Sequence, residues 1–251
     1  VILDDCISYS QVARLDISGQ PEWYLLFLEA SPEEGGSVSA LDGYYASGTL
    51  IEGLEATAAE GYHFVSWTDQ DDTLLSDVAV FDLIMPEALT ILTAHFEINI
   101  YTLTYTAGEN GTLEGETTQT LTHGSDGSAV LAVANEGYHF VQWSDGLAAN
   151  PRTDTHVTAS LSVEAQFAIN TYTLLYSTDG NGQIEGEQEQ SVQHGSDGSP
   201  VLAVANEGYH FLQWSDGLTD NPRTDTGITA DLEVMAEFGI NVYTLTYSAA
   251  E

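Results

Sequence analysis

Lysine is absent from this chain of 251 residues, and only three arginines, Arg14, Arg152 and Arg223, oppose 39 acidic side chains, for a formal net charge of −36. So little positive charge cannot neutralise phosphates, which excludes nucleic acid as a partner. An anionic skin is also repelled by anionic lipid surfaces. Cysteine is nearly absent, and the single Cys6 forms no internal disulfide, so the fold stands without staples. No apolar run approaches the roughly 18 residues needed to span a bilayer, so no membrane insertion is expected. No signal peptide shows at Val1, which fits a processed chain or an excised segment. Helical periodicity is missing as well, since no window longer than about 10 residues carries it and glycine recurs too often. What is present is 43% hydrophobic and 10% aromatic residues, which excludes a disordered acidic tail. The chain is a folded protein whose acidic surface suits solubility at high ionic strength or the display of cation-binding carboxylates.

Self-similarity sets the organisation. Tyr101-Thr-Leu-Thr-Tyr105 returns as Tyr172-Thr-Leu-Leu-Tyr176 and as Tyr243-Thr-Leu-Thr-Tyr247, a period of 71 residues. The stretch from Val130 to Thr155 recurs almost unchanged from Val201 to Thr226, and an earlier, divergent copy holds Gly61-Tyr-His-Phe-Val-Ser-Trp67 and closes at Phe96. The expected division is a leader at 1–23, repeats at 24–100, 101–171 and 172–241, and a lone segment at 242–251. Within the second repeat, Tyr101–Tyr105, Thr118–Thr122, Ala129–Ala134, Tyr138–Ser144 and Leu161–Ile169 alternate as strands, and Gly108-Glu-Asn-Gly111 reads as a hairpin turn. The inward-facing parity switches at every junction, as between Ile169 and Tyr172, which hands the chain from one sheet to the next. No Gly, Pro or Ser-rich linker intervenes, so neighbouring repeats should abut stiffly. The class is all-β: small β-rich, β-grasp-related or sandwich-like modules in tandem, forming a rod on the order of 90 Å long.

These residues resemble the divergent internalin-type B repeats of bacterial surface proteins. The resemblance is carried by Glu136-Gly-Tyr-His-Phe-Val-Gln-Trp-Ser-Asp-Gly146, Asn150-Pro-Arg-Thr-Asp-Thr155 and Val163-Glu-Ala-Gln-Phe167, matched at Glu207–Gly217, Asn221–Thr226 and Val234–Phe238. It covers residues 24 to 242, although the first copy has Thr68-Asp-Gln-Asp-Asp-Thr73 where the others have SDG and NPRTDT. The resemblance implies a compact β-rich module, related to the β-grasp and strung in tandem on secreted bacterial proteins, with no catalytic residues to transfer.

Candidate residues fall into five groups. Trp67, Trp143, Trp214, Tyr138, Tyr209, Phe140, Phe211, Phe96, Phe167 and Phe238 read as structural core, against the alternative that the tryptophans form a sugar-stacking platform. Arg152 with Asp145 and Asp154, and Arg223 with Asp216 and Asp225, suggest a carboxylate–guanidinium clasp that fixes a loop. Asp69, Asp71 and Asp72 resemble a fragment of a calcium loop, whereas Asp179–Glu185 lacks the EF-hand pattern and fits a hairpin turn better. Asn110-Gly-Thr112 is a glycosylation sequon on a turn. His63, His139 and His210 share one repeated slot, and His123 and His194 another, which makes them architectural. No HxH, HxxxH or cysteine partner converts them into zinc ligands.

No catalytic constellation emerges, so the expectation is a non-enzymatic structural protein of the bacterial exterior, secreted or on the cell surface. It would act as a spacer in an adhesin stalk or as a fibre subunit, with calcium as the only candidate cofactor. The competing class is a sugar- or protein-binding module. Tyr243, Leu245 and Tyr247 repeat a first strand without the rest of its module, which suggests strand donation to an identical subunit. The expected partners are therefore neighbouring repeats or a second copy of the chain.

Overall fold

The structure is a computed structural model that describes residues 22–247. Cys6, Arg14, nearly all of the leader expected at 1–23 and the last four residues lie outside the described residues. Packing divides the chain into two compact units. One holds the first repeat through Leu103 with Thr118–Ser128 and Thr153–Leu161; the other holds the remainder of the second repeat and the third.

The first repeat contains β1 (Trp23–Ser31), β2 (Gly36–Val38), β3 (Gly43–Ala46), β4 (Leu50–Ala58), β5 (Tyr62–Asp69), β6 (Leu74–Ser76), β7 (Val80–Ile84) and β8 (Thr90–Ile98), with one 3₁₀ turn at Glu33–Gly35. The second contains β9 (Ile100–Ala107), β10 (Gly111–Glu114), β11 (Thr118–Thr122), β12 (Leu131–Ala134), β13 (Tyr138–Trp143) and β14 (Leu161–Ile169). The third repeats these as β15 (Thr171–Thr178), β16 (Gly182–Glu185), β17 (Glu189–Gln193), β18 (Leu202–Ala205), β19 (Tyr209–Trp214) and β20 (Leu232–Ile240). The described residues are thus almost wholly β.

Alternation explains these strands. In β15, Leu174 and Tyr176 turn inward and are buried while Thr171 and Thr173 face out. β15 pairs parallel with β20 (Leu174↔Leu232, Tyr176↔Val234) and antiparallel with β17 (Tyr172↔Val192), and the sheet runs β17-β15-β20-β19. A parallel pair needs a long crossover, and the segment between β15 and β20 supplies it, adding β16 and β18 as a second, two-stranded sheet. The second repeat keeps this strand order, β11-β9-β14-β13 with β10-β12. The first extends both sheets, to β3-β1-β8-β5-β6 and β2-β4-β7. The core of each repeat lies between its two sheets, and Trp67, Trp143 and Trp214 are fully buried there.

A bulge explains how the Phe and Trp of the Tyr-His-Phe-x-x-Trp run face one core. Pairing of β19 with β20 skips from Phe211↔Phe238 to Gln213↔Glu237, so the alternation slips by one residue and Trp214 turns inward with Phe211. The same slip occurs between Phe140 and Gln142 and between Phe64 and Ser66.

Two hairpin expectations fail. Gly108–Gly111 is no hairpin, because β10 pairs with β12 and not with β9, and Asp179–Glu185 likewise leads into β16, which pairs with β18. Both flanks of β9 are already taken by β11 and β14, so the chain must cross to the other sheet. Gly111 makes that crossing over the closing aromatic, and a Cβ there would stand 2.2 Å from the Phe167 ring.

Candidate functional site

Two constellations recur and are built from polar side chains. The first is the arginine loop. Arg223 is 3% exposed and donates from Nη1 and Nη2 to both oxygens of Asp216, at 2.9 and 2.7 Å, and from Nε and Nη2 to both oxygens of Asp225, at 2.7 Å each. Its guanidinium lies 5.5 Å from the centre of the Trp214 ring, and its backbone bridges Val201. Tyr176 Oη donates to Asp225 Oδ2 at 2.7 Å. Burial and then that carboxylate push the Tyr176 phenol well above its ordinary value. The Arg223 hydrogen bonds hold Asp216 below the usual carboxylate range. In the second repeat Arg152 donates from Nη1 to both oxygens of Asp145, at 2.9 and 2.8 Å, over Trp143 at 5.6 Å. Partial burial alone would raise Asp145, but the Arg152 hydrogen bonds bring it down. Asn150 and Asn221 complete the loops: each amide side chain bonds both backbone groups of the opposing alanine, Ala132 or Ala203, at 2.8 Å, in the manner of a strand.

The first repeat solves the same problem without charge. Val130↔Arg152 corresponds in register to Leu54↔Phe81, since β2 and β4 pair as β10 and β12 do. Phe81 therefore covers Trp67, ring centres 5.7 Å apart, where the later repeats use arginine. This substitution accounts for the missing SDG and NPRTDT segments. No local motif marked Phe81 as their counterpart.

The second constellation sits at the junctions. Asn99 separates β8 from β9. Its amide donates to the Gly61 carbonyl at 2.7 Å, its carbonyl accepts from the His123 amide at 2.9 Å, and its Oδ1 lies 2.9 Å from His63 Nδ1. His123 Nδ1 in turn lies 3.3 Å from Tyr101 Oη. Gly61, at φ +81°, packs so closely on the His123 ring that an added Cβ would stand 2.4 Å from it. Asn170 repeats every element between β14 and β15: 2.8 Å to the Gly137 carbonyl, 2.8 Å from the His194 amide, 2.7 Å to His139 Nδ1, and a Gly137 whose Cβ would meet the His194 ring at 2.4 Å. The two histidine slots noticed in the sequence thus belong to one latch, with each junction taking a histidine from both of its neighbours. The asparagine and glycine were missed, although the parity switch marks the position of the asparagine.

Other sequence candidates fall elsewhere. Tyr138, Tyr209, Phe140, Phe211, Phe96, Phe167 and Phe238 line the cores, with Phe96 and Phe238 buried and the others half-buried. Asp69, Asp71 and Asp72 lie at the β5–β6 turn. Asp69 Oδ1 accepts the amides of Asp71 and Thr73 at 2.9 Å, closing that turn. Its carboxyl is lowered chiefly by the Thr73 amide. Among the described residues no group of three or more His, Cys, Asp or Glu side chains is placed to hold a metal ion. Asn110 is exposed at φ +70° in the turn before β10. Tyr243, Leu245 and Tyr247 are 77–88% exposed and pair with no strand among the described residues.

A family model for the divergent InlB B-repeat domain matches residues 26–100, 101–171 and 172–242. The chain belongs to this B-repeat family. The matched segments are tandem and meet just after the latch asparagines Asn99 and Asn170. Two proteins of Evansella cellulosilytica are each 26% identical to the chain. One, provisionally named a membrane protein, aligns over 85% of this chain and 32% of its own length; the other, provisionally named a Gly-rich membrane protein, aligns over 90% and 26%. The B-repeat chain therefore spans about a third or less of these relatives. Among solved structures, the Bacillus anthracis TIE protein covers 86% of this chain and 50% of its own, at 11% identity and TM-score 0.35. Domains 3–4 of a streptococcal cell surface protein with High Identity Repeats in Tandem cover 57% and 99%, at 16% identity and TM-score 0.24. Among the described residues no helix is long and apolar enough to cross a membrane.

Proposed function

We propose that this chain is a non-enzymatic spacer of the bacterial exterior, a stalk segment whose repeats hold a fixed orientation to one another. The observation that carries this reading is the junction latch, built twice from the same Gly–Asn–His–His set with one asparagine and no flexible linker between strands. A single-residue connection bonded on both sides leaves little hinge freedom, which a display stalk requires and a recognition module does not. The arginine loops favour scaffold over specific binding. Their charged groups are spent on each other and on the tryptophan beneath, and both loops have nearly the same sequence. Small repeats bury little surface each, so latched neighbours also contribute to stability.

The test is small-angle X-ray scattering of the purified chain at moderate salt. A latched array gives a distance distribution that does not change with salt. A distribution of shapes that collapses as salt screens the −36 charge would contradict the spacer reading.

A further inference from the structure

The latch occurs a third time, half-made. Asn241 follows β20 as Asn99 follows β8 and Asn170 follows β14. Its amide donates to the Gly208 carbonyl at 2.8 Å, and its Oδ1 lies 2.8 Å from His210 Nδ1. Gly208 keeps the left-handed φ of +85°, against +81° at Gly61 and Gly137. Gly61 and Gly137 are buried under a histidine ring, whereas Gly208 is exposed, and among the described residues nothing lies within 4 Å of where its Cβ would stand. Next to it, Val242, Tyr243, Leu245 and Tyr247 are exposed apolar residues with the sequence of a first strand.

Among the described residues, the leading end of the first repeat carries no matching half. Pairing of β1 with β3 (Trp23↔Ala46, Tyr24↔Tyr45) corresponds to pairing of β15 with β17 (Thr171↔Gln193, Tyr172↔Val192). The residue after Ala46 therefore stands where His194 stands, and it is Ser47. The Ser47 amide donates to the Glu22 carbonyl at 3.0 Å, as the His194 amide donates to Asn170. So Glu22 and Ser47 occupy the places of the asparagine and histidine. Glu22 is engaged by the Tyr24 hydroxyl.

We infer that the Gly208–His210–Asn241 face is a docking surface for one class of partner: the leading end of a further B repeat that has tyrosine at its first inward position and histidine-glycine 22 residues later. Its histidine ring covers Gly208, and its first strand continues from Tyr243. The leading end of an identical chain does not fit, because Ser47 offers no ring and Glu22 brings a carboxylate in place of an amide. Head-to-tail association of identical copies therefore does not use this face. This inference rests on the spacer reading only in treating the latch as a structural unit.

The test extends the full chain. Residues 1–248 are followed by a second copy of 178–241, which places the appended histidine 22 residues after Tyr243. Amide hydrogen exchange is then compared in the three-repeat and four-repeat proteins. Appending the repeat should slow exchange across Gly208–His210 by about tenfold, the scale of one hydrogen-bonded contact. Gly208→Asn, which tolerates a left-handed backbone, should abolish that gain while leaving the three-repeat chain unchanged. His194→Ser in the appended copy alone should abolish it equally, with that copy's own core still protected. An unchanged Gly208 region beneath a folded fourth repeat would overturn the inference. So would filaments of the unextended chain that Gly208→Asn dissolves. A flexible junction at Gly137 would sink the spacer reading without touching this result.

Discussion

Gly137 and Gly208 form a matched pair: the same residue at the same place in the repeat, with φ of +81° and +85°, one beneath a histidine ring and one open. Alanine strains both backbones alike, by about 1 kcal/mol. Only at Gly137 does the new Cβ also meet a ring, an overpacking that costs about 1–3 kcal/mol more. Urea denaturation should therefore place Gly137→Ala well below Gly208→Ala in stability, and equal losses would remove the ring contact as an energetic feature. The tryptophans set a second expectation. Trp143 is fully buried with Nε1 donating to the Ala149 carbonyl at 3.0 Å, so Trp143→Ala should cost about 3–5 kcal/mol. A loss below about 1 kcal/mol would mean the ring packs far less tightly than its burial indicates.

At the scale of elements, the arginine loop couples stability to pH. Asp216 is depressed by the Arg223 hydrogen bonds, and Asp179 by the amides of Asn181 and Phe238. Their folded-state values lie below the unfolded value of about 3.9. The stability they contribute is present above that value and lost as pH falls through the folded values. Thermal midpoints should thus decline below about pH 4. Arg223→Met should lower the midpoint at neutral pH, since it leaves Asp225 facing a buried site without its cation, and should flatten the Asp216 share of the acid decline. An unaltered pH profile would exclude the clasp as its source.

The strands were readable because alternation is a local signal. The pairing of β10 with β12 was not, because strand neighbours depend on which edges are already occupied. The clasp could be read from rare cations at matched positions. The latch could be read only in part, because asparagine and glycine are common and act here through backbone groups and close approach. Phe81 was invisible, since it replaces Arg152 by register and not by type.

At the scale of the molecule, the charge of −36 is the dominant long-range term. Self-repulsion should make the thermal midpoint rise with NaCl and level off once the Debye length falls to a few Å. A flat response would show that the acidic groups are too dispersed to matter. Equal effects of calcium and sodium at matched ionic strength are expected, given that Asp69 is spent on its own turn.

The central claim is that each asparagine junction fixes the orientation of the repeats it joins. Spin labels at exposed positions 147 and 218, in a chain with Cys6 replaced by serine, report the second junction directly by pulsed electron resonance. A latched junction gives one narrow distance distribution, which Asn170→Ala combined with Gly137→Asn broadens. An unaltered chain whose distribution is already as broad as that of the double variant would contradict it.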